Sequence, residues 1–355
     1  METRLSNARG YLEDLDAILL CSRPNITYVS GYTGSDALLL FTSEEAALFV
    51  DSRNTTQARQ ETPLSVHEIT RKWEDLAGHL TEKGIKTLGI ESNSLDVDSF
   101  LVMNELFTGI EMTPLGKQLL YLRAKKEEQE IGRLLKAAEV ARLSLLTVLD
   151  KGLVGKRERD VALDLEWHMR LRGAQAPSFE LIVASGWRSA LPHGVASEKV
   201  IESGEPVVID FGCVLDGYCS DETVTVFTGE PDPEFIRMYD HVRAAQEEAL
   251  NGIVSGLKTK DLDNLARTYL ATHGLAEYFG HGLGHGVGME VHEMPSVSSL
   301  SNDVLDEGMV ITIEPGVYLP GRFGIRLEDT VLVRDSSCKR ITNIDKGIIR
   351  VISQR

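Results

Sequence analysis

Two segments of the chain echo one another closely enough to imply a repeated structural unit. Ser-Asp221-Glu-Thr223-Val-Thr-Val returns as Leu-Glu328-Asp-Thr330-Val-Leu-Val. Each follows an acid-bearing apolar run and a glycine-containing turn: Val-Val-Ile-Asp210-Phe-Gly through Asp216-Gly217-Tyr218 in the first copy, Ile-Thr-Ile-Glu314-Pro-Gly through Leu319-Pro320-Gly321-Arg322-Phe323-Gly324 in the second. The pattern predicts a duplicated hairpin, each copy supplying two acids. Residues two apart on a strand share a face, so Asp221, Thr223 and Thr225 should line one surface, and Arg326, Glu328 and Thr330 another. Four inward carboxylates are costly unless cations neutralise them, and Arg326 alone cannot. A pair of divalent metal ions is the economical answer, with Asp221 and Glu328 suited to bridging them.

An imidazole ligand is at hand. In Phe279-Gly-His281-Gly-Leu-Gly-His285-Gly-Val-Gly-Met-Glu-Val-His292-Glu-Met-Pro295, three of the nine histidines fall within twelve residues. Interleaved glycines let the backbone approach something closely, as ligand-cradling segments require. His67, His79, His168, His241 and His273 lack such neighbours and read as structural or exposed.

A chain of 355 residues exceeds one ordinary core and suits two domains, here 1–122 and 123–355. Strand-like runs at 17–21, 37–41, 46–50 and 87–90 and helical spacing at 73–83 and 97–106 predict a small α/β first domain, with Arg23-Pro24-Asn25 as a turn-forming break. The second domain opens on a helix from Lys125. It continues with helices at 158–172, 233–254 and 259–273 and strands at 181–184, 206–211, 223–227, 309–313 and 330–333, an α+β arrangement. Leu163, Leu165 and Met169 read as a core stripe, and Trp73, Trp167 and Trp187 as core or interface aromatics.

The net charge of −17 argues against nucleic acid or anionic lipid as partner. No apolar stretch approaches the roughly 20 residues of a membrane helix, and the acidic start does not resemble a secretory signal, so a cytoplasmic protein is expected. The scattered Cys21, Cys213, Cys219 and Cys338 lack zinc-site spacing and read as reduced thiols.

On these motifs the second domain resembles the pita-bread fold of the family holding prolidases, Xaa-Pro aminopeptidases, methionine aminopeptidases and creatinase. The resemblance implies five metal ligands: Asp210 in Asp-Phe-Gly, Asp221 eleven residues later, His285 in His-Gly-x-Gly-His-Gly, Glu314 in Glu-Pro-Gly, and Glu328 in Gly-x-Arg-x-Glu-Asp. It also implies catalytic roles for His193, His281, His292 and Glu314, with Thr223, Tyr318 and Arg326 supporting substrate or ligands. Val224 departs from the arginine many relatives carry there, which would remove a polar contact near the metals. Pro24-Asn25-Ile-Thr-Tyr28, Gly31-Tyr-Thr-Gly34-Ser35 and Val50-Asp51-Ser-Arg53 make the first domain resemble the creatinase-type amino-terminal domain of the proline-specific branch.

The implied reaction is hydrolysis of the bond between an N-terminal residue and a following proline by a metal-bridging hydroxide. Mn²⁺, Co²⁺ or Zn²⁺ suits the oxygen and imidazole donors. Because a prolidase usually carries a basic residue near the His-Glu-x-Pro segment to bind the dipeptide carboxylate, and here Ser296 follows Pro295, the expectation is an aminopeptidase acting on peptides with proline second. An Xaa-Pro dipeptidase is the alternative. A creatinase-like hydrolase or a non-catalytic peptide-binding module would require the metals to be lost. Relatives suggest a homodimer.

Overall fold

The computed structural model describes residues 2–351 and places them in two units, Met1–Arg123 and Ala124–Arg355. Met1 and residues 352–355, the ends of the two expected domains, lie outside the described residues.

The first unit is built on a six-stranded sheet in the order Ser65–Glu68, Ala46–Val50, Ala37–Thr42, Ala17–Leu20, Thr87–Ile90, Glu111–Pro114. Ala37–Thr42 runs antiparallel to both its neighbours, and the other pairs are parallel. Leu19, Leu38, Leu40, Phe49, Leu88 and Ile90 pack with Trp73, Leu76 and Leu80 of the helix Lys72–Glu82 and with Met103 of Val97–Leu106. Arg23-Pro24-Asn25 is not a break: it starts the helix Arg23–Ser30. Proline is tolerated in a first turn because its missing N–H would have had no helical partner. Ser22 caps this helix through Oγ, which accepts the Asn25 N–H, and Gly31 ends it in the left-handed region at φ 79°. Beneath the cap sits the fully buried Glu91, whose carboxylate accepts from Cys21 N–H (2.7 Å), Ser22 N–H (2.8 Å), Ser22 Oγ (2.6 Å) and Asn25 Nδ2 (2.5 Å).

The second unit contains the two hairpins. Strand Pro206–Phe211 pairs antiparallel with Glu222–Phe227, bringing Phe211 opposite Glu222. Strand Val310–Ile313 pairs antiparallel with Asp329–Val333, bringing Ile313 opposite Asp329. Helices Glu128–Asp150 and Glu158–Leu171 cover the first hairpin's sheet, where Ala137, Leu145, Val161, Leu165 and Met169 bury Val207, Ile209, Phe211, Val224 and Val226. Helices Pro233–Gly252 and Thr259–Thr272 pack on one another and on the second sheet. The two hairpins are stitched together: Glu328 N–H donates to Thr223 O (3.1 Å), Thr330 Oγ1 to Asp221 O (2.7 Å) and Thr225 Oγ1 to Arg326 O (2.9 Å). The face-sharing sets read from strand alternation therefore do meet.

Several expectations need correction. Val224 points away from Thr223 into the apolar core, so a polar residue there would not have been a neighbour of the acids. Leu163 and Trp167 are about 60% exposed, as is Leu171, so the outer face of that helix is apolar while Leu165 and Met169 supply its buried stripe. Trp187 is exposed too, leaving Trp73 as the one core tryptophan among the described residues. All four cysteines are free thiols, and no helix among the described residues is long and apolar enough to cross a membrane.

Removing the Glu91 carboxylate strands several donors in a dry site, so Glu91→Ala should cost the first unit about 3 kcal/mol of unfolding free energy, read by urea denaturation. A loss below about 1 kcal/mol would show that the cap does not depend on it.

Candidate active site and metal centre

Asp210, Asp221, Glu314 and Glu328 all line one cavity of about 530 Å³, together with His193, His281, His285, His292, Tyr318 and Arg326. Thr223 lies immediately behind, fully buried. The structure thus brings together every residue singled out from the sequence. Asp210 is near the end of its strand, Asp221 enters the next, and Glu314 and Glu328 occupy the matching places in the second hairpin.

Ligand-type atoms of Asp221, His285 and Glu328 lie within 4.8 Å of one another. His285 Nε2 stands 3.5 Å from Asp221 Oδ2 and 3.5 Å from Glu314 Oε1. Its Nδ1 lies 3.1 Å from Gly286 O, a carbonyl that can only accept, so Nδ1 carries the proton and Nε2 presents a lone pair to the acids. Burial, then the neighbouring His292 ring at 4.3 Å, pushes His285 down to about 4. At neutral pH it is an uncharged donor.

Arg326 is 3% exposed. Its Nη2 donates to Asp210 Oδ2 (2.6 Å), Nη1 to Pro192 O (2.9 Å) and Tyr318 Oη (3.0 Å), and Nε to Thr223 Oγ1 (3.2 Å). Thr223 Oγ1 in turn donates to Glu328 Oε2 (2.7 Å). Burial opposes the charge on Arg326, but Tyr318, Asp210 and Glu314 more than compensate and hold it protonated. Since the Tyr318 oxygen accepts from Arg326, its proton goes to His281 Nε2 (2.9 Å), while His281 Nδ1 donates to Gly282 O (2.8 Å). Burial pushes His281 down to about 4 as well.

The acids fare oppositely. Burial, then Glu328, Asp210 and Glu314, raises Asp221 well above the ordinary aspartate range; burial, then Glu314 and Asp210, does the same for Glu328. Burial lifts Glu314 to about 8. Asp210 Oδ1 is buried with no hydrogen-bond partner among the described residues. Four carboxylates against one guanidinium, an orphaned buried oxygen and an imidazole lone pair aimed at the acids fit divalent cations.

Other residues that shape the site carried no recognisable local signal. Glu158, fully buried at the start of its helix, accepts from Ser185 N–H (2.7 Å) and Oγ (2.9 Å), Arg188 Nε (2.9 Å), and Ser197 N–H (3.1 Å) and Oγ (2.6 Å). It thereby ties both ends of the loop that carries His193. Arg267 and buried Asp263, an i, i+4 ion pair at 2.9 Å, hold the glycine segment, Arg267 donating to Phe279 O and His281 O and Asp263 accepting from Leu283 N–H. Within that segment the close approach at Gly284 and Gly286 is to other strands rather than to a ligand: an added Cβ would lie 2.0 Å from Thr312 O and 2.3 Å from Met294 O.

Comparison with known proteins agrees. Residues 132–335 match the metallopeptidase family M24, and residues 4–125 the creatinase/prolidase N-terminal domain. The chain is 40% identical over 336 residues to an Xaa-Pro dipeptidase of Pyrococcus horikoshii, covering 94% of this chain and 95% of that protein. The structure of an Xaa-Pro dipeptidase from Bacillus anthracis superimposes with a TM-score of 0.95 at 37% identity, covering 98% of this chain and 99% of that one. An X-Pro aminopeptidase from Thermotoga maritima superimposes with a TM-score of 0.91, also at 37% identity, covering 97% and 100%. The α+β expectation, with a creatinase-type domain ahead of a pita-bread domain, holds.

Carboxylates raised in the folded state stabilise the protein fully below their unfolded values, near 4.5, and that contribution is lost as pH rises through the folded values. The lowered His281 and His285 act in the opposite sense, chiefly below pH 6.5. Chelated protein should therefore lose stability from pH 7 to 8, by up to about 1.4 kcal/mol per unit for each such carboxylate. Protein saturated with Mn²⁺ should be spared. Urea midpoints at both pH values check this; equal slopes with and without metal would contradict it.

Proposed function

The chain belongs to metallopeptidase family M24, and from that membership and the site's geometry we propose that it is an Xaa-Pro dipeptidase that uses two divalent ions. It would split the bond between an N-terminal residue and a C-terminal proline. The observation carrying the hydrolytic reading is the excess of carboxylates over permanent positive charge in one cavity that also presents the His285 imidazole. The dipeptide preference is supported by near full-length similarity to the Pyrococcus and Bacillus dipeptidases.

In this reading Asp210, Asp221, His285, Glu314 and Glu328 would hold the ions. Divalent ions bound there, Mn²⁺, Co²⁺ or Zn²⁺, would polarise the scissile carbonyl and lower the pKa of water. Glu314 would take a proton from the attacking water and pass it to the proline nitrogen. His193 and His292 donate to the oxygen on which negative charge develops. His281, held neutral and oriented by Tyr318, positions the substrate. Arg326 fixes Asp210 and, through Thr223, Glu328.

A second reading keeps the aminopeptidase. Arg326 is the one lysine or arginine lining the cavity among the described residues, and its three nitrogens are engaged with protein oxygens. Ser296 and Ser298 line the cavity without adding charge, which favours longer substrates, as does the similarity to the Thermotoga aminopeptidase. A homodimer belongs to the proposal as well, supported by the exposed apolar stripe Leu163, Trp167 and Leu171.

Hydrolysis of Ala-Pro and Ala-Pro-Ala after chelation and Mn²⁺ or Co²⁺ addition separates the readings. The expected result is metal-dependent turnover with Ala-Pro preferred; turnover of the tripeptide alone establishes the aminopeptidase, and turnover of neither contradicts proline specificity. Glu314→Gln should lower kcat about 10²–10⁴-fold.

A further inference from the structure

In Asp221-Glu222-Thr223 and Glu328-Asp329-Thr330 each candidate ligand is followed directly by another acid that the proposed reaction does not use. Alternation along the strands turns these second acids to the face away from the cavity, where both are 1% exposed. There they converge on one side chain. Lys346 Nζ lies 2.5 Å from Glu222 Oε1 and 3.3 Å from Asp329 Oδ1, and its side chain is also buried. The surrounding hydrogen bonds are shared unequally. Glu222 Oε1 also accepts from Ile344 N–H (3.2 Å), whereas Asp329 accepts from Thr342 Oγ1 (2.9 Å) and Gln246 Nε2 (3.3 Å) and pairs with Arg340 (3.3 Å).

We propose that Lys346 is a positioning residue for the metal centre, a buried ammonium that clamps the strands carrying Asp221 and Glu328 and sets their separation from behind. The inference rests on the reading of Asp221 and Glu328 as ligands. On the cavity side those two carboxylates repel when both are ionised with no cation between them. The backbone stitching of Glu328 to Thr223 holds the strands at one point, and directly behind the repelling pair an ammonium attracts the next residue of each strand. A compact point charge suits this place, because one Nζ must reach two carboxylates on different strands. The clamp keeps the ligands at metal-binding separation before any ion arrives, so the ion does not have to draw two strands together.

Mutating Lys346 alone would leave two buried acids short of a counter-ion and endanger folding. The informative variant is therefore Lys346→Met combined with Glu222→Gln, which removes the charge pair together and leaves Asp329 its bonds to Arg340, Thr342 and Gln246. Chelated wild type, this double variant and Asp221→Asn would be titrated with MnCl₂ by calorimetry, and their metal-free thermal midpoints measured. The expected result is a double variant that unfolds cooperatively near the wild-type midpoint but binds Mn²⁺ about tenfold or more weakly, the scale typical of residues that support metal ligands. Wild-type Mn²⁺ affinity in the double variant, with weakened binding in Asp221→Asn, overturns the clamp and leaves the metal centre standing. Wild-type affinity in Asp221→Asn overturns the ligand reading itself.

Discussion

Asp210, Asp221, Glu314 and Glu328 share a cavity in which Arg326 is the one permanent positive charge among the described residues, and most of the second unit's architecture serves to keep them there. Left alone, like charges in a dry site would take up protons or push the strands apart, and the first tendency is visible in the raised values of Asp221, Glu314 and Glu328. The fold resists with paired hairpins whose backbones are hydrogen-bonded across the gap, with an arginine whose three nitrogens are all engaged, and with a threonine relaying between Arg326 and Glu328. Cations complete what the protein leaves unbalanced. Divalent ions bound there would polarise the scissile carbonyl and lower the pKa of water, which is the chemistry that hydrolysis of an unactivated peptide bond requires.

The duplication explains the economy of this arrangement. One hairpin carrying an acid near its turn and another at the return strand gives two carboxylates on one face; repeating it gives four. The alternation that sends Asp221 and Glu328 inward sends Glu222 and Asp329 outward, so each repeat also presents a handle on its back. Similarity to both a dipeptidase and an aminopeptidase at the same identity fits a shared catalytic centre whose preference for chain length is decided elsewhere in the cavity.

Much of the site was legible because its signals are local and repeat. Strand alternation, the echoed acids and the histidine-glycine run each lie within a few residues, and the charge argument needs only their count. What escaped depends on contacts between residues far apart in the chain. Arg23-Pro24-Asn25 looks like a break until Glu91, some seventy residues on, supplies the acceptor that holds the helix start together. The glycines at 284 and 286 announce a close approach but not to what, and the answer is the carbonyls of Thr312 and Met294. Glu158 and Lys346 carry no mark of burial in the local sequence, and only the fold turns them inward. Leu163 misleads in the opposite direction, an apolar residue read as core on a helical face that the second unit does not bury.

The central claim is that this cavity is organised around two divalent ions, and the most direct test is a count of them. Protein stripped with chelator, re-equilibrated with Mn²⁺ and freed of excess should be assayed for metal by mass spectrometry against protein concentration. The account predicts two ions per chain, falling to one or none when Asp221 and Glu328 are replaced by their amides. Wild-type protein that retains no metal, or an Asp221→Asn, Glu328→Gln chain that still retains two, would contradict it.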